Sequence, residues 1–240
     1  MLMYTGLIRE GKMEIPDQMR SRVPARFLSP LLVSFLGAVV ALVLFARLAD
    51  EMLEGETQHF DEVVSGTIHG FVSPALTEIM TVLTDVGNAT GVIIAAVIAC
   101  AVLWSKHRQH RAVLLAVTVS GSPLLMWTLK QQFRRNRPLP CGFPRPEGYS
   151  FPSGHALVSF CFFMVLAAMI TAEQKAPLGR VAVWVIAAVM VFGIGLSRIY
   201  LCAHYPSDVV AGYLAALVWV LGVTVVYRRL PRPIGGRLHQ

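Results

Sequence analysis

Six runs of apolar residues, separated by shorter polar segments, set the strongest limit on how this chain can fold. An α-helix of about 20 residues covers the roughly 30 Å hydrocarbon core of a bilayer. Charged residues make up only 15% of the chain, against roughly 25% in a typical soluble domain. We therefore predict an all-α integral membrane bundle of six transmembrane helices. The expected spans are residues 28–46, 88–105, 112–129, 153–171, 181–197 and 207–227.

The segment 50–87 between the first two spans is acidic and only intermittently apolar. Its apolar residues recur at helical spacing, which favours short amphipathic helices on the membrane surface. A small soluble hairpin outside the membrane is the alternative. The recurring residues are Phe60, Val63, Val64, Ile68 and Phe71, followed by Leu76, Ile79, Met80 and Leu83. No repeat of about 20–50 residues and no long linker divides the chain, so residues 1–240 are predicted to form one domain.

The distribution of Lys and Arg predicts the orientation of the spans, because cytoplasmic loops carry an excess of these residues. The basic segments are the N-terminal region, the loops 106–111 and 172–180, and the tail 228–240. With six spans these segments all lie on one side of the membrane, so both termini are expected in the cytoplasm. The expected location is the plasma (inner) membrane. The acidic segment 50–87 then lies on the outer side.

One outer loop, residues 130–152, is basic against this rule. Its cations are Lys130, Arg134, Arg135, Arg137 and Arg145. Positive charge on the outer side does not help to orient the spans and therefore favours another function. Anion binding is the simplest such function. Although the chain has a net charge of +7, the cations lie in short clusters between apolar runs. That pattern does not favour nucleic acid as a partner.

The sequence Phe151-Pro152-Ser153-Gly154-His155 leads directly into the fourth span. A helix start offers unpaired backbone N–H groups and the positive end of the helix dipole, and glycine allows a ligand to approach closely. These are the components of an anion site. An N-capping serine followed by a histidine at the membrane surface is the alternative interpretation.

The outer ends of the spans bring together a set of groups suited to phosphoryl transfer. Arginine forks and N–H donors bind the equatorial oxygens of a phosphate. His204 and Asp208 are four residues apart at the start of the sixth span, where the carboxylate can orient a nucleophilic imidazole. His155 could donate a proton to the leaving oxygen.

These residues also resemble the three-part signature of the type 2 phosphatidic acid phosphatase (PAP2) superfamily. The matching blocks are Lys130-x6-Arg137-Pro138, Pro152-Ser153-Gly154-His155 and Ser197-Arg198-x5-His204-x3-Asp208. The resemblance implies a phosphate-binding set and a catalytic set, without a metal or another cofactor. The first set is Lys130, Arg137, Ser153, Gly154 and Arg198. In the second, His204 forms a phosphohistidine, Asp208 orients it and His155 protonates the leaving group.

We therefore expect a membrane lipid phosphatase that acts on a phosphomonoester or diphosphate headgroup at the outer face. The substrate classes implied are undecaprenyl diphosphate, phosphatidylglycerol phosphate, phosphatidate and diacylglycerol diphosphate. A phosphotransferase with an acceptor other than water is the alternative. An anion or lipid transporter is disfavoured, because the charges cluster at one face rather than at the midplane. A metal-dependent hydrolase with His155, His204 and Asp208 as ligands is weaker still.

Several other polar residues receive more ordinary interpretations. Headgroup contact is expected for Arg134 and Arg135, and helix capping for Asn88 and Thr90. Cys141 and Cys202, in outer loops that must approach each other, are hypothesised to form a disulfide bond. Cys202 also stands where many members of the superfamily have glycine. The histidines without an expected role are His69, His107, His110 and His239.

Overall fold

The computed structural model describes residues 25–144 and 146–229, and in these residues the chain is helical throughout, with no β-strand. Arg145, His239, the basic residues before residue 25 and those of the tail beyond 229 lie outside the described residues. The described residues form eight helices, numbered in chain order. They are α1 (Ala25–Glu54), α2 (Gln58–His69), α3 (Pro74–Val86), α4 (Ala89–Ser105), α5 (Gln109–Phe133), α6 (Gly154–Thr171), α7 (Pro177–Tyr200) and α8 (Pro206–Arg229).

Five helices, α1, α5, α6, α7 and α8, are long and apolar enough to cross a membrane. A sixth span arises if α3 and α4 are taken together, with a bend of 55° at the break between them. The predicted all-helical membrane bundle is therefore confirmed, and the chain is a multi-pass membrane protein. Its second span differs from the prediction, because α4 alone has 17 residues and α3 continues it at an angle. The side chain of Asn88 caps α4 by accepting from Gly91 N at 2.6 Å, as expected.

The centre of the bundle is α6, which packs against α5, α7 and α8, while α1 packs mainly against α8. Nine of the 18 residues of α6 are buried. Large apolar side chains on α1, α4 and α7 remain exposed on the outside of the bundle, where lipid acyl chains would cover them. The bundle thus surrounds the start of α6 with three other helices.

The start of α6 lies unusually close to its neighbours because two positions are glycine. A Cβ at Gly212 of α8 would lie 2.7 Å from the carbonyl oxygen of Ser153, and a Cβ at Gly154 would overlap the sulfur of Met126. The Ser153 N–H donates to the carbonyl of Asp208 at 2.9 Å. These contacts hold the first turn of α6 directly against the first turn of α8.

The loop 134–153 leaves α5 and returns to α6 beside the bundle. Helix α5 continues through Lys130 to Phe133, four residues further than predicted, and ends at Arg134 in the left-handed conformation with φ 47°. Lys130 is therefore on the last helical turn rather than in the loop. The rings of Phe133 and Phe151 meet edge to face with centroids 5.0 Å apart, and both contact Phe45 of α1. This aromatic cluster closes the base of the loop.

A disulfide bond between Cys141 and Cys202 joins the loop 134–153 to the turn between α7 and α8. The two Cα atoms are 6.1 Å apart, within the range that a disulfide spans. The pairing hypothesised from the sequence is confirmed. Cys202 has φ 52°, in the left-handed region that glycine adopts most readily. His69 of α2 lies against this bond, with Nε2 3.1 Å from Cys202 Sγ.

Candidate active site

One end of the bundle brings the C-terminal turns of α5 and α7 next to the N-terminal turns of α6 and α8. All eight residues singled out in the sequence lie at these four helix ends or in the two segments that join them, 134–153 and 201–205. Three chain segments that are distant in sequence therefore meet, as the pattern predicted. The individual roles of the residues remain predictions.

Two of the expected phosphate-binding cations are held by backbone carbonyls. Lys130 Nζ donates to the carbonyl of Tyr149, and to that of Ser150 at 3.4 Å. The Arg137 guanidinium contacts both the loop 134–153 and the α7–α8 turn. Its Nη1 donates to the carbonyl of Ala203 in the turn at 2.7 Å. Its loop contacts are Gly148 O at 3.0 Å and Glu147 O at 3.1 Å. Arg137 thereby fixes the distance between the loop and the turn that carries His204.

His204 and Asp208 form a buried pair. His204 Nδ1 lies 3.4 Å from Asp208 Oδ2, and the two side chains are 3% and 0% exposed. On the other side of the ring, Nε2 lies 3.2 Å from Nη1 of Arg137. Because a guanidinium only donates, this contact requires a lone pair on Nε2 and places the imidazole proton on Nδ1, facing the carboxylate. That tautomer leaves the lone pair of the ring on Nε2.

The protonation state of His204 suits nucleophilic attack. Burial lowers the pKa of its imidazole to about 4, although the hydrogen bond and charge of Asp208 act in the opposite direction. The ring is therefore neutral above about pH 4. A neutral imidazole beside a carboxylate can attack phosphorus and then be stabilised as its charge develops.

The start of α6 and the end of α7 present buried polar donors toward the same region. Ser153 Oγ and Arg198 Nε are buried and lack a hydrogen-bond partner within residues 25–144 and 146–229. Another arm of Arg198 donates to Thr84 Oγ1 of α3. Buried donors without a protein partner are uncommon, and here they belong to two residues expected to bind phosphate. Their chemistry fits the oxygens of an anion.

His155 lies on the first turn of α6 and is partly buried. It is close enough to interact electrostatically with Arg198, His204, Arg137 and Lys130. The predicted acid thus shares one site with the predicted nucleophile and three cations. Within the described residues, the His and Cys group nearest to a metal-binding arrangement is instead His69 with Cys141 and Cys202, whose sulfurs are bonded to each other.

The headgroup contact expected for Arg135 is wrong. Its guanidinium, 15% exposed, donates to Asp208 Oδ1 at 2.7 Å and to Asp61 Oδ2 at 2.7 Å. It also stacks over the ring of Tyr205, 4.1 Å from the ring centroid. The two carboxylates raise the pKa of Arg135 despite its burial. Arg134, its neighbour, is exposed and donates from Nε to Gln131 O at 3.0 Å.

Ser150 is a second residue of the site that the sequence did not reveal. It is fully buried, its hydroxyl donates to Asp208 Oδ2, and its Oγ lies 3.3 Å from His204 Nδ1. The backbone N–H of Tyr205 also donates to Asp208 Oδ2, at 2.9 Å. The carboxylate that faces His204 is therefore held on several sides. A serine three residues before the Ser153-Gly154-His155 block gives no pattern that would separate it from a loop serine.

The fold and the site define a membrane-embedded helical protein with a cluster of cationic side chains and an oriented imidazole at one end of its bundle. The sequence model of the PAP2 superfamily matches residues 111–232, a little more than half of the chain. The chain belongs to the PAP2 superfamily.

Known proteins similar to this chain carry the names of phosphatases. It is 27% identical over 181 residues to phosphatidylglycerophosphatase B of Bacillus subtilis, which covers 75% of this chain and 89% of that protein. It is 38% identical over 71 residues to undecaprenyl-diphosphatase of Sulfolobus acidocaldarius, 30% of each chain. The crystal structure of a transmembrane PAP2-type phosphatidylglycerolphosphate phosphatase from Bacillus subtilis matches with a TM-score of 0.75 and 26% identity, covering 82% of this chain and 98% of that chain.

Asp208→Asn is expected to shift the acidic limb of the pH profile of kcat/KM to lower pH. For a nucleophilic His204 the active form is the neutral imidazole, which places its limb near pH 4 in the wild type. Asp208 raises the pKa of His204, and its removal therefore lowers that pKa further. At neutral pH the variant should lose activity, but less than His204→Ala. Both enzymes are measured with the same substrate, so its own titration affects both profiles equally. The difference between the two profiles therefore reports the change in the pKa of His204. An unmoved limb, or one moved to higher pH, would contradict the pairing.

Reduction of the Cys141–Cys202 bond is expected to lower both thermal stability and activity, because the bond ties the loop of Arg137 to the turn of His204. In the chain-entropy view, a link across 61 residues contributes up to about 4 kcal/mol to the free energy of unfolding. Thermal unfolding with and without a reductant measures this. The double variant Cys141→Ser/Cys202→Ser is the control and should not respond to the reductant. Equal Tm values for reduced and oxidised wild type would contradict the expectation.

Proposed function

We propose that this protein is a membrane lipid phosphatase that hydrolyses a phosphomonoester or diphosphate headgroup through a phosphohistidine on His204. The observation that carries the proposal is the buried His204–Asp208 pair, whose Nε2 faces Arg137 next to two further cations, Lys130 and Arg198. Such a site can bind a phosphate, attack it and accept the charge that develops. The relatives described above are also phosphatases by name.

In the first step the phosphate would be held by Lys130, Arg137 and Arg198, with the hydroxyl of Ser153 and the first N–H groups of α6. His204 Nε2 attacks the terminal phosphorus, a P–N bond forms, and the P–O bond to the leaving oxygen breaks. That oxygen belongs to the lipid alcohol in a monoester and bridges the two phosphates in a diphosphate. His155 gives its proton to the leaving oxygen. Asp208 accepts the Nδ1 hydrogen bond throughout and stabilises the imidazolium.

In the second step His155, now neutral, would take a proton from a water molecule. The water oxygen attacks the phosphorus, the P–N bond breaks, and inorganic phosphate and neutral His204 are regenerated. The cations neutralise the phosphoryl oxygens in both steps, so the proposed reaction requires no metal ion.

The place of the site suits an amphiphilic substrate. It lies where the spans end, so a lipid could insert its headgroup while its tail remains among the exposed apolar side chains of the helices. Phosphatidylglycerol phosphate and undecaprenyl diphosphate are the favoured classes, given the names of the two relatives. Phosphatidate and diacylglycerol diphosphate offer the same chemistry. The distribution of Lys and Arg supports an outward-facing site in the plasma membrane with cytoplasmic termini.

The experiment that tests the proposal is phosphate release by the purified protein in detergent with EDTA. A panel of lipid phosphates of these four classes is compared with a soluble sugar phosphate. We expect release from at least one lipid phosphate, faster than from the sugar phosphate and insensitive to the chelator. No release from any lipid, with folded protein, would reject the proposal. Activity lost in EDTA and restored by a divalent metal would reject the metal-free mechanism.

A further inference from the structure

Asp61 on α2 is a buried carboxylate that the proposed reaction does not use directly. It is 1% exposed, although α2 lies in the segment expected to form surface helices. Asp61 Oδ1 accepts from the backbone N–H of Ser207 at 2.8 Å, and Oδ2 accepts from the Ser207 hydroxyl at 2.7 Å. Oδ2 also accepts from Arg135 at 2.7 Å. A charge buried this deeply is costly unless it is paired. Here the partners are Ser207 on the first turn of α8 and Arg135, which itself contacts Asp208 of α8.

Arg135 joins Asp61 to Asp208 through its two terminal nitrogens. Nη1 donates to Asp208 Oδ1 and to the Ser207 hydroxyl, each at 2.7 Å, while Nη2 donates to Asp61. The fork therefore orients Asp208 from the side opposite His204, which lies near Oδ2. Asp61 and Arg135 together fix both the first turn of α8 and the rotamer of its carboxylate.

The charges make the second carboxylate necessary. Arg135 bonded to Asp208 alone would cancel the negative charge that stabilises the imidazolium of His204. Asp61 compensates the guanidinium, so that the three side chains together carry one negative charge. That charge is placed on the side of Asp208 that faces His204.

We propose that Asp61 is a positioning residue for His204, acting through Arg135 and Asp208. The inference rests on the proposed function, because it assigns Asp61 to the phosphohistidine step. It goes beyond the signature residues, since Asp61 lies on a different helix, 143 residues before His204 in the chain. It also gives α2 a part in the reaction chemistry, beyond covering the bundle.

The test compares Asp61→Asn, Arg135→Gln and the double variant Asp61→Asn/Arg135→Gln. Asparagine keeps the shape and an acceptor for Ser207 but leaves the Arg135 charge uncompensated beside Asp208. We expect kcat of Asp61→Asn to fall about tenfold or more, because the imidazolium of His204 is less well stabilised as it forms. KM should change less than about threefold. The matched control is Glu62→Gln, an exposed carboxylate on the same helix, which should retain wild-type kcat.

The double variant separates a charge effect from a merely structural one. Removing Arg135 as well restores the single negative charge on Asp208, so the double variant should be more active than Asp61→Asn alone. A structural tether predicts the reverse, because the second substitution removes further contacts. A double variant equal to or worse than Asp61→Asn, or Asp61→Asn with wild-type kcat, would overturn the proposal.

Folding and the failure of the proposed function are controlled in the same preparation. Size-exclusion profile and Tm show whether each variant is folded. If Asp61→Asn does not fold, Arg135→Lys is measured instead, because lysine keeps the charge but cannot bond both carboxylates as the guanidinium does. A fall in kcat at unchanged KM supports the proposal. A wild-type kcat overturns it. If wild type and His204→Ala release phosphate equally, both proposals fail. If only His204→Ala is inactive while Asp61→Asn matches Glu62→Gln, the positioning role fails alone.

Discussion

His204→Ala is expected to reduce phosphate release to the uncatalysed background while the protein still inserts and folds. The substitution removes the atom that would bond to phosphorus, and removal of a nucleophile typically costs about 10⁴-fold or more in kcat. The buried imidazole is neutral above about pH 4, so the effect should be present throughout the range from pH 5 to 8.

The measurement is single-turnover phosphate release by matched amounts of folded protein. His110→Ala serves as control, because His110 lies at the opposite end of the bundle on the first turn of α5. That variant should behave as wild type. Near-normal turnover in His204→Ala would reject the assigned nucleophile, whereas equal losses in both variants would indicate a general effect of the substitutions on folding.

His155→Ala is expected to have the second-largest effect, and its size should depend on the leaving group. General acid catalysis contributes about 10²- to 10⁴-fold when the leaving oxygen needs a proton. A lipid alkoxide needs one, whereas an aryl phenolate such as p-nitrophenolate leaves largely without it. The variant should therefore lose far more activity toward a lipid monoester than toward an aryl phosphate.

The comparison with Arg198→Lys provides the control for binding. Arg198 is buried at the end of α7 and offers an Nε donor that lysine lacks. Its substitution should therefore lower the binding of the lipid and the aryl substrate to the same extent. Equal losses for the lipid and aryl substrates in His155→Ala would contradict the role of this residue as the acid and would favour a contribution to binding.

The membrane fold and much of the site could be predicted from the sequence because their signals are local. A span is visible in its own hydropathy, and His204 and Asp208, only four residues apart, stay close to each other at the start of the sixth span. The second span was less well predicted, since α3 and α4 meet at a bend near Gly87 that no single apolar run reveals.

The part of the site that the sequence did not reveal depends on contacts between distant segments. Arg135 looks like any cation in a basic loop, and Asp61 looks like any acid in a surface helix. Their pairing follows from the packing of α2 against α8, across a separation of 146 residues between Asp61 and Ser207. The signal available was weak: Asp61 shares a helix face with Val64 and Ile68, but a carboxylate on that face gave no reason to expect burial.

The central claim, a covalent phosphohistidine on His204, is tested most directly by trapping the phosphoenzyme. The protein is mixed with a substrate labelled in its terminal phosphate, quenched in alkali within one turnover, and analysed for bound label. We expect label that is stable to alkali, released by acid and located on a peptide containing His204, with none in His204→Ala. Label-free protein during rapid turnover of the wild type, or label on another residue, would contradict the claim.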